Sequence, residues 1–218
     1  HGIGWMGAYV PGQRTAMLPP GHARKIPAGS KLVFQMHYTP SGVITTDKTR
    51  VGVWFTDPDS VTHEVITHVA INHEFEIPPG EENHEVGMSM TSFPAEGRIL
   101  GVTPHMHLRG KSFGMSVLRE DGKTEKLLLV PQYDFNWQHW YAFAEPVDLA
   151  DVESLDMTVA FDNSRHNPVN PAPKEFVSWG DQTWEEMAVA FFDVASPLGK
   201  TSARVKEATQ PTEQQLAK

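Results

Sequence analysis

The feature that most constrains this chain is a succession of short apolar runs, each stopped by a turn cluster. "KLVFQMHYTP", "RVGVWFTDP", "HEVITHVAI", "RILGVTPHMHL", "FGMSVLRED", "EKLLLVPQY", "LDMTVAFDNS" and "MAVAFFDVA" are strand-length and rich in β-branched and aromatic residues. Between them stand "TPSG", "IPPGEEN", "REDGKTE" and "NPVNPAP", built from the residues that turns require. No long stretch repeats its apolar residues at helical spacing. The expectation is an all-β fold of jelly-roll or sandwich type, with less than about one-tenth helix. In "REDGKTE", the Asp121-Gly122 pair predicts a tight hairpin turn.

A turn cluster at "FTDPDS", residues 55 to 60, separates two groups of runs. The reading is two jelly-roll-like β-sandwich units. The first, residues 1–57, is short for a β-domain, whose edge strands need partners. It is expected to be the C-terminal part of a larger sandwich, or to lean on the second unit, residues 58–197. The last stretch, residues 198–218, is polar and without aromatics, and is expected to be a flexible tail.

Composition narrows function. With a net charge of −9, the chain is a poor candidate for nucleic acid or an anionic membrane surface. No apolar run reaches the length of a membrane-spanning helix. There are no cysteines, which removes thiolate catalysis, zinc–thiolate sites and disulfides together. Eleven histidines, nine methionines and the carboxylates remain as possible metal ligands.

Among these, "TPHMHLRGK" stands out. His105 and His107 are two residues apart, so an extended strand puts both on one face, with Cα atoms roughly 6.6 Å apart. Two imidazoles so placed can converge on one metal ion; two solvated histidines at a strand end would look the same. In "WGDQTWEEMAVAFFDV", Met187 opens an apolar strand after Glu185 and Glu186. Met187 reads either as core filler or as a third ligand, and a thioether suits Cu(I) rather than zinc or calcium.

"QMHYTP", "IPPGEENHEV", "HMHLRGK" and "EEMAVAFFDV", in this order and at about this spacing, resemble the ascorbate-dependent type II copper monooxygenases. That family includes the peptidylglycine α-hydroxylating and dopamine β-monooxygenases, and bacterial relatives of unknown substrate look closer still. The resemblance covers nearly everything from residue 3 to 195. It implies two jelly-roll-like sandwich domains with one copper each, in a periplasmic or secreted protein. The oxygen-binding copper would take His105, His107 and Met187, which would also be the catalytic set. The electron-storing copper of the family has three histidines, of which "QMHYTP" supplies His37. The other two are an adjacent pair upstream, and this sequence has no adjacent His-His pair. One copper site is thus expected complete and the second incomplete.

The implied reaction is hydroxylation of a C–H bond by dioxygen, with ascorbate or another one-electron reductant as co-substrate. Thr103, Val189 and Phe191 stand where the peptide-amidating enzyme has an arginine, an asparagine and a tyrosine for the substrate carboxylate. Peptidyl-glycine is therefore an unexpected substrate, and the substrate is an unknown small molecule. Ala188 replaces a usual cysteine. Arg109 and Lys111, after the H-x-H, read either as a pair that attracts an anion or, as expected here, as solvated surface charges. His1 reads as a boundary rather than a terminal copper ligand. His22, His63, His68, His73, His84, His139 and His166 are expected to be surface or hydrogen-bonded residues. The loop "FDNSRHNPVNPAPKEFVSWGDQTW" either walls the copper pocket, with Trp179 and Trp184 lining it, or is a surface loop pinned by its tryptophans. Partners would be dioxygen, the substrate and further domains of the same polypeptide. Competing readings are a non-catalytic copper-binding or electron-transfer module, and a purely structural β-domain.

Overall fold

The structure is a computed structural model that describes residues 4–13, 17–39, 41–201 and 203–204. It is 41% strand and 2% helical, an all-β sandwich, as the punctuated apolar runs require. Among the described residues thirteen strands are formed: β1 (His22–Ala23), β2 (His63–Asn72), β3 (Glu76–Ile77), β4 (His84–Met90), β5 (Phe93–Pro94), β6 (Arg98–His105), β7 (Gly110–Arg119), β8 (Thr124–Val130), β9 (Tyr141–Asp148), β10 (Val152–Phe161), β11 (Val177–Ser178), β12 (Ala188–Pro197) and β13 (Ala203–Arg204). One sheet has the order β1-β2-β12-β6-β9, the other β4-β10-β7-β8; β11-β3 and β13-β5 are two-stranded.

The alternation of side chains explains the layers. In β7, Phe113, Met115 and Val117 are buried, while the residues between them are only half-buried. They meet Leu155, Met157 and Val159 of β10 and, from the opposite sheet, Ala190, Phe192 and Val194 of β12, in one core. β12 is the middle strand of the five-stranded sheet and is buried on both faces, which is why its sequence is almost continuously apolar. A smaller cluster, Val65, Leu100 and Ala195 with Leu18 and Trp140, occupies the outer face of that sheet. The β7–β8 hairpin turns where expected: Gly122 has φ +80°, and its N–H donates to the Arg119 carbonyl at 2.8 Å.

Two expected strands do not form. Residues 31–39 and 50–57 carry no strand, and Val33 (80% exposed), Trp54 (78%) and Phe55 (86%) face solvent. Their apolar pattern suits a strand, but among the described residues no neighbouring strand pairs with them. At the expected seam stands a short 3₁₀ turn, Pro58–Ser60, capped by the Asp57 side chain accepting from the Asp59 N–H. Just outside the seam, β1 runs parallel to β2, and Arg24 reaches Asp193 of β12 at 2.7 Å. The start of the expected tail is also ordered by pairing, with Ala203 opposite Pro94 and Arg204 opposite Phe93. Its remainder, like His1, lies outside the described residues.

Candidate metal centre

β6 and β12 are antiparallel neighbours, with Val189 opposite His105 and Phe191 opposite Thr103. Paired residues share a face, and so do residues two apart. His105 is the last residue of β6; Met106 follows with its side chain fully in the core, so His107 returns to the face of His105. The ring centroids of the two histidines lie 5.3 Å apart at 84°. Met187 is half-buried and directly precedes β12. The structure thus brings His105 and His107 together at the end of β6, with the Met187 backbone at the start of the neighbouring strand.

Both imidazoles are oriented through the same nitrogen. His105 Nδ1 bonds Gln138 Oε1 at 2.7 Å, and His107 Nδ1 bonds the Glu185 carbonyl at 3.2 Å. Oxygen acceptors at Nδ1 place the proton there and leave Nε2 with its lone pair. Burial lowers the pKa of both rings. For His107, desolvation and then the neighbouring His105 bring it down to about 4, so it is neutral at pH 7. For His105, desolvation dominates and the Gln138 bond works against it. Two rings sharing an ion through Nε2, with bonds of about 2.0–2.1 Å at a tetrahedral angle, would have centroids about 5 Å apart. The observed pair fits that requirement, and a Met187 thioether joining it would suit Cu(I).

The backbone that carries the histidines is held from both sides. Tyr133 Oη donates to the Met106 carbonyl at 2.7 Å and accepts from the Met106 N–H at 3.1 Å. Gly110 permits this approach, since a Cβ there would lie 2.6 Å from the Tyr133 ring and 2.7 Å from Met106 Cβ. On the other side, Glu186 is fully buried, and its carboxylate accepts from the N–H of His107 at 2.8 Å and of Arg109 at 2.6 Å. The Met187 N–H is a third donor to it. One carboxylate therefore ties His107 to Met187. Desolvation outweighs these donors and the Arg109 guanidinium and leaves its pKa raised to about 8.

Arg109 corrects the expectation of a solvated charge. It is 1% exposed, donating from Nε to Asn163 Oδ1 at 2.9 Å and from a terminal nitrogen to the Trp184 carbonyl at 2.8 Å. A guanidinium this deep persists because its donors are matched. Lys111 remains exposed, reaching the Glu82 carbonyl at 2.7 Å. Asn163, also fully buried, donates to the carbonyls of Pro78 and Glu175, both at 2.9 Å, and so pins the long loop. Trp179 packs edge-on against His73, 4.3 Å between centroids, and Trp184 is exposed. The loop reaches the site through Asn163 and the Trp184 carbonyl, which hold Arg109.

Sequence reasoning missed Gln138, Tyr133, Glu186, Asn163 and Trp5. Trp5 stacks on Phe191 at 5.2 Å and 15°, and Phe191 lies 6.3 Å from His105. Only Glu186 carried a signal, an acid directly before the candidate ligand. His37 is exposed, yet close enough to His105 to help lower its pKa by charge repulsion. Among the described residues, no three His, Asp or Glu side chains gather as a metal-binding group. Of the seven other histidines, His22 and His63 are hydrogen-bonded and stacked on one another, and His166 pairs with Glu82. His68 and His139 depart from expectation, each burying an Nε2 that has no partner. No protein-family model and no curated protein matches the chain.

Proposed function

We propose that the chain is a copper-dependent monooxygenase module that hydroxylates a C–H bond with dioxygen and an ascorbate-like reductant. The observation that carries this reading is the pair of imidazoles 5.3 Å apart, each with an oxygen acceptor at Nδ1. In it, His105, His107 and Met187 hold the metal, and copper so held would supply one-electron chemistry toward dioxygen. Gln138 and the Glu185 carbonyl fix the ring tautomers, and Glu186 and Tyr133 fix the backbone that spaces the ligands. His37 would belong to a second, electron-storing site, incomplete in the sequence given, so coupling of oxygen uptake to hydroxylation should be poor.

The test is X-ray absorption on the Cu(I) protein, with ascorbate-dependent oxygen uptake measured alongside. A sulfur scatterer lost in Met187→Ala, and uptake abolished in His107→Ala, are the expected results. Met187→His should favour Cu(II), because imidazole is the harder ligand. Copper bound at these residues without any oxygen uptake would replace the enzyme reading with a copper-carrying or electron-transfer module. No tight copper binding would end both.

A further inference from the structure

Between residues 171–177 and Trp184 the long loop leaves a cleft of about 460 Å³, within the range of small-molecule sites. Pro171, Ala172, Phe176, Val177 and Trp184 give it apolar walls, and Arg109 forms its floor. The rings of Phe176 and Trp184 stay 62% and 60% exposed, so the cleft is open to solvent, whereas Arg109 is 1% exposed.

The two bonds that hold Arg109 in place use Nε and one terminal nitrogen, and both go to neutral acceptors, Asn163 Oδ1 and the Trp184 carbonyl. The second terminal nitrogen has no partner among the described residues, yet it is not sealed in the interior as His68 Nε2 is. Nor does a carboxylate pair with the guanidinium. Among the described residues Arg109 forms no salt bridge, and the nearby Glu186 carboxylate is occupied by backbone N–H groups. Of the two acids at the cleft, Glu185 turns its carboxylate to the Gln182 N–H at 2.9 Å, and Glu175 is exposed. A buried cation with a free donor and no counter-ion is costly, and an anion entering the cleft would satisfy both needs.

We infer that this cleft binds a small carboxylate with an apolar body, the carboxylate on Arg109 and the body against Phe176 and Trp184. A guanidinium matches the two oxygens of a carboxylate, and a neutral ligand would leave its charge unbalanced. An inorganic anion would leave the aromatic walls uncovered. Floor and wall are already one hydrogen-bonded unit. Asn163 bonds Arg109, donates to the Glu175 carbonyl at 2.9 Å, and accepts from Asn170 Nδ2 at 3.0 Å. Binding therefore needs little reordering of the loop. The inference does not depend on the proposed function. The cleft meets the candidate centre through Glu185, whose carbonyl bonds His107 at Nδ1, and its ligand can be read without metal.

The experiment follows the Trp184 indole and Arg109 Nε–H signals by NMR in the metal-free chain, titrated with phenylacetate, phenylacetamide, phenethylammonium and acetate. Phenylacetate should shift both signals saturably, at least about tenfold more tightly than each of the other three. Trp184→Ala keeps the backbone carbonyl that holds Arg109 and should weaken phenylacetate at least about fivefold. Arg109→Met should erase the preference for phenylacetate over its amide. Where that variant fails to fold, the amide comparison and Trp184→Ala decide. Amide, ammonium or acetate binding as tightly as phenylacetate would overturn the inference. So would full affinity in Trp184→Ala, or no saturable shift of either signal. Phenylacetate binding as expected in a chain that takes up no copper would sink the proposed function and leave this site standing.

Discussion

Two stretches of this chain read alike and end differently. Residues 31–39, which contain His37, and residues 98–105, which lead into His107, are both strand-length and apolar. The second becomes β6, hydrogen-bonded to β12 on one side and β9 on the other. The first forms no strand and leaves Leu32, Val33 and Phe34 at least half exposed. The difference is not in propensity. A strand is stabilised by its neighbours and by the face it buries, and only β6 has both. The histidines inherit the difference: His105 and His107 are held in fixed orientations, and His37 is exposed.

The comparison can be broken most severely at Glu186. Glu186→Ala should remove the acceptor shared by the backbone N–H groups of His107, Arg109 and Met187. Each buried donor left unsatisfied costs about 1–3 kcal/mol, so losing an acceptor shared by three should cost about 3–5 kcal/mol. Urea unfolding should show a loss of that size, with faster amide exchange at His107 and Arg109. A loss under about 1 kcal/mol would mean that the carboxylate does not hold the loop.

Tyr133→Phe attacks the same loop from the other side and should do less. It keeps the ring against Gly110 but strips the N–H and carbonyl of Met106 of their common partner. Each unsatisfied buried group of this kind costs about 1–3 kcal/mol, and here there are two rather than three. If stability and the His107 amide exchange rate both stayed unchanged, Met106 would be held by something else.

The fold was legible in the sequence wherever a run found a partner. Periodicity and turn chemistry located β2, β6, β7, β8, β10 and β12, and Gly122 sits in the hairpin turn that Asp121-Gly122 predicted. The candidate ligands were legible because spacing by two survives folding: residues two apart on extended backbone stay on one face. What was not legible is what holds them. Gln138 lies 33 residues from His105, and Glu186 lies 79 from His107; such contacts depend on which strands become neighbours, which no local pattern encodes. Arg109 was misread for the same reason, since its burial is decided by Asn163 and Trp184, 54 and 75 residues away.

His68 offers a smaller effect within the well-held sheet. It lies on β2 with its ring stacked on Phe192, 5.8 Å between centroids, and its buried Nε2 has no partner. Burial lowers its pKa below the ordinary 6.5, and the Asp193 carboxylate offsets part of that. A folded state that keeps the ring neutral is fully stable above pH 6.5, where the unfolded ring is neutral too. Stability is lost as pH falls from 6.5 toward the folded pKa, with a slope of at most about 1.4 kcal/mol per pH unit from this group. His105 and His107 act with the same sign. His68→Phe, which keeps the stack, should therefore flatten the slope between pH 6.5 and 5 without removing it. An unchanged slope would show that His68 titrates alike in both states.

The smallest effect belongs to the other half of the comparison. Phe55 is 86% exposed on a segment with no strand, and its sequence is as strand-like as that of β6. If partners rather than propensity stabilise strands, an unpartnered apolar side chain contributes almost nothing. Phe55→Ser should then change unfolding stability by no more than about 0.5 kcal/mol, the range of ordinary surface substitutions. The same swap at Phe113, fully buried in the core, removes a packed ring and should cost at least about 3–5 kcal/mol. A cost above about 1.5 kcal/mol at Phe55 would mean that the segment packs in solution, either on this sandwich or on a second copy. Repeating the measurement across a tenfold range of protein concentration separates those two cases, because only packing on a second copy makes stability depend on concentration.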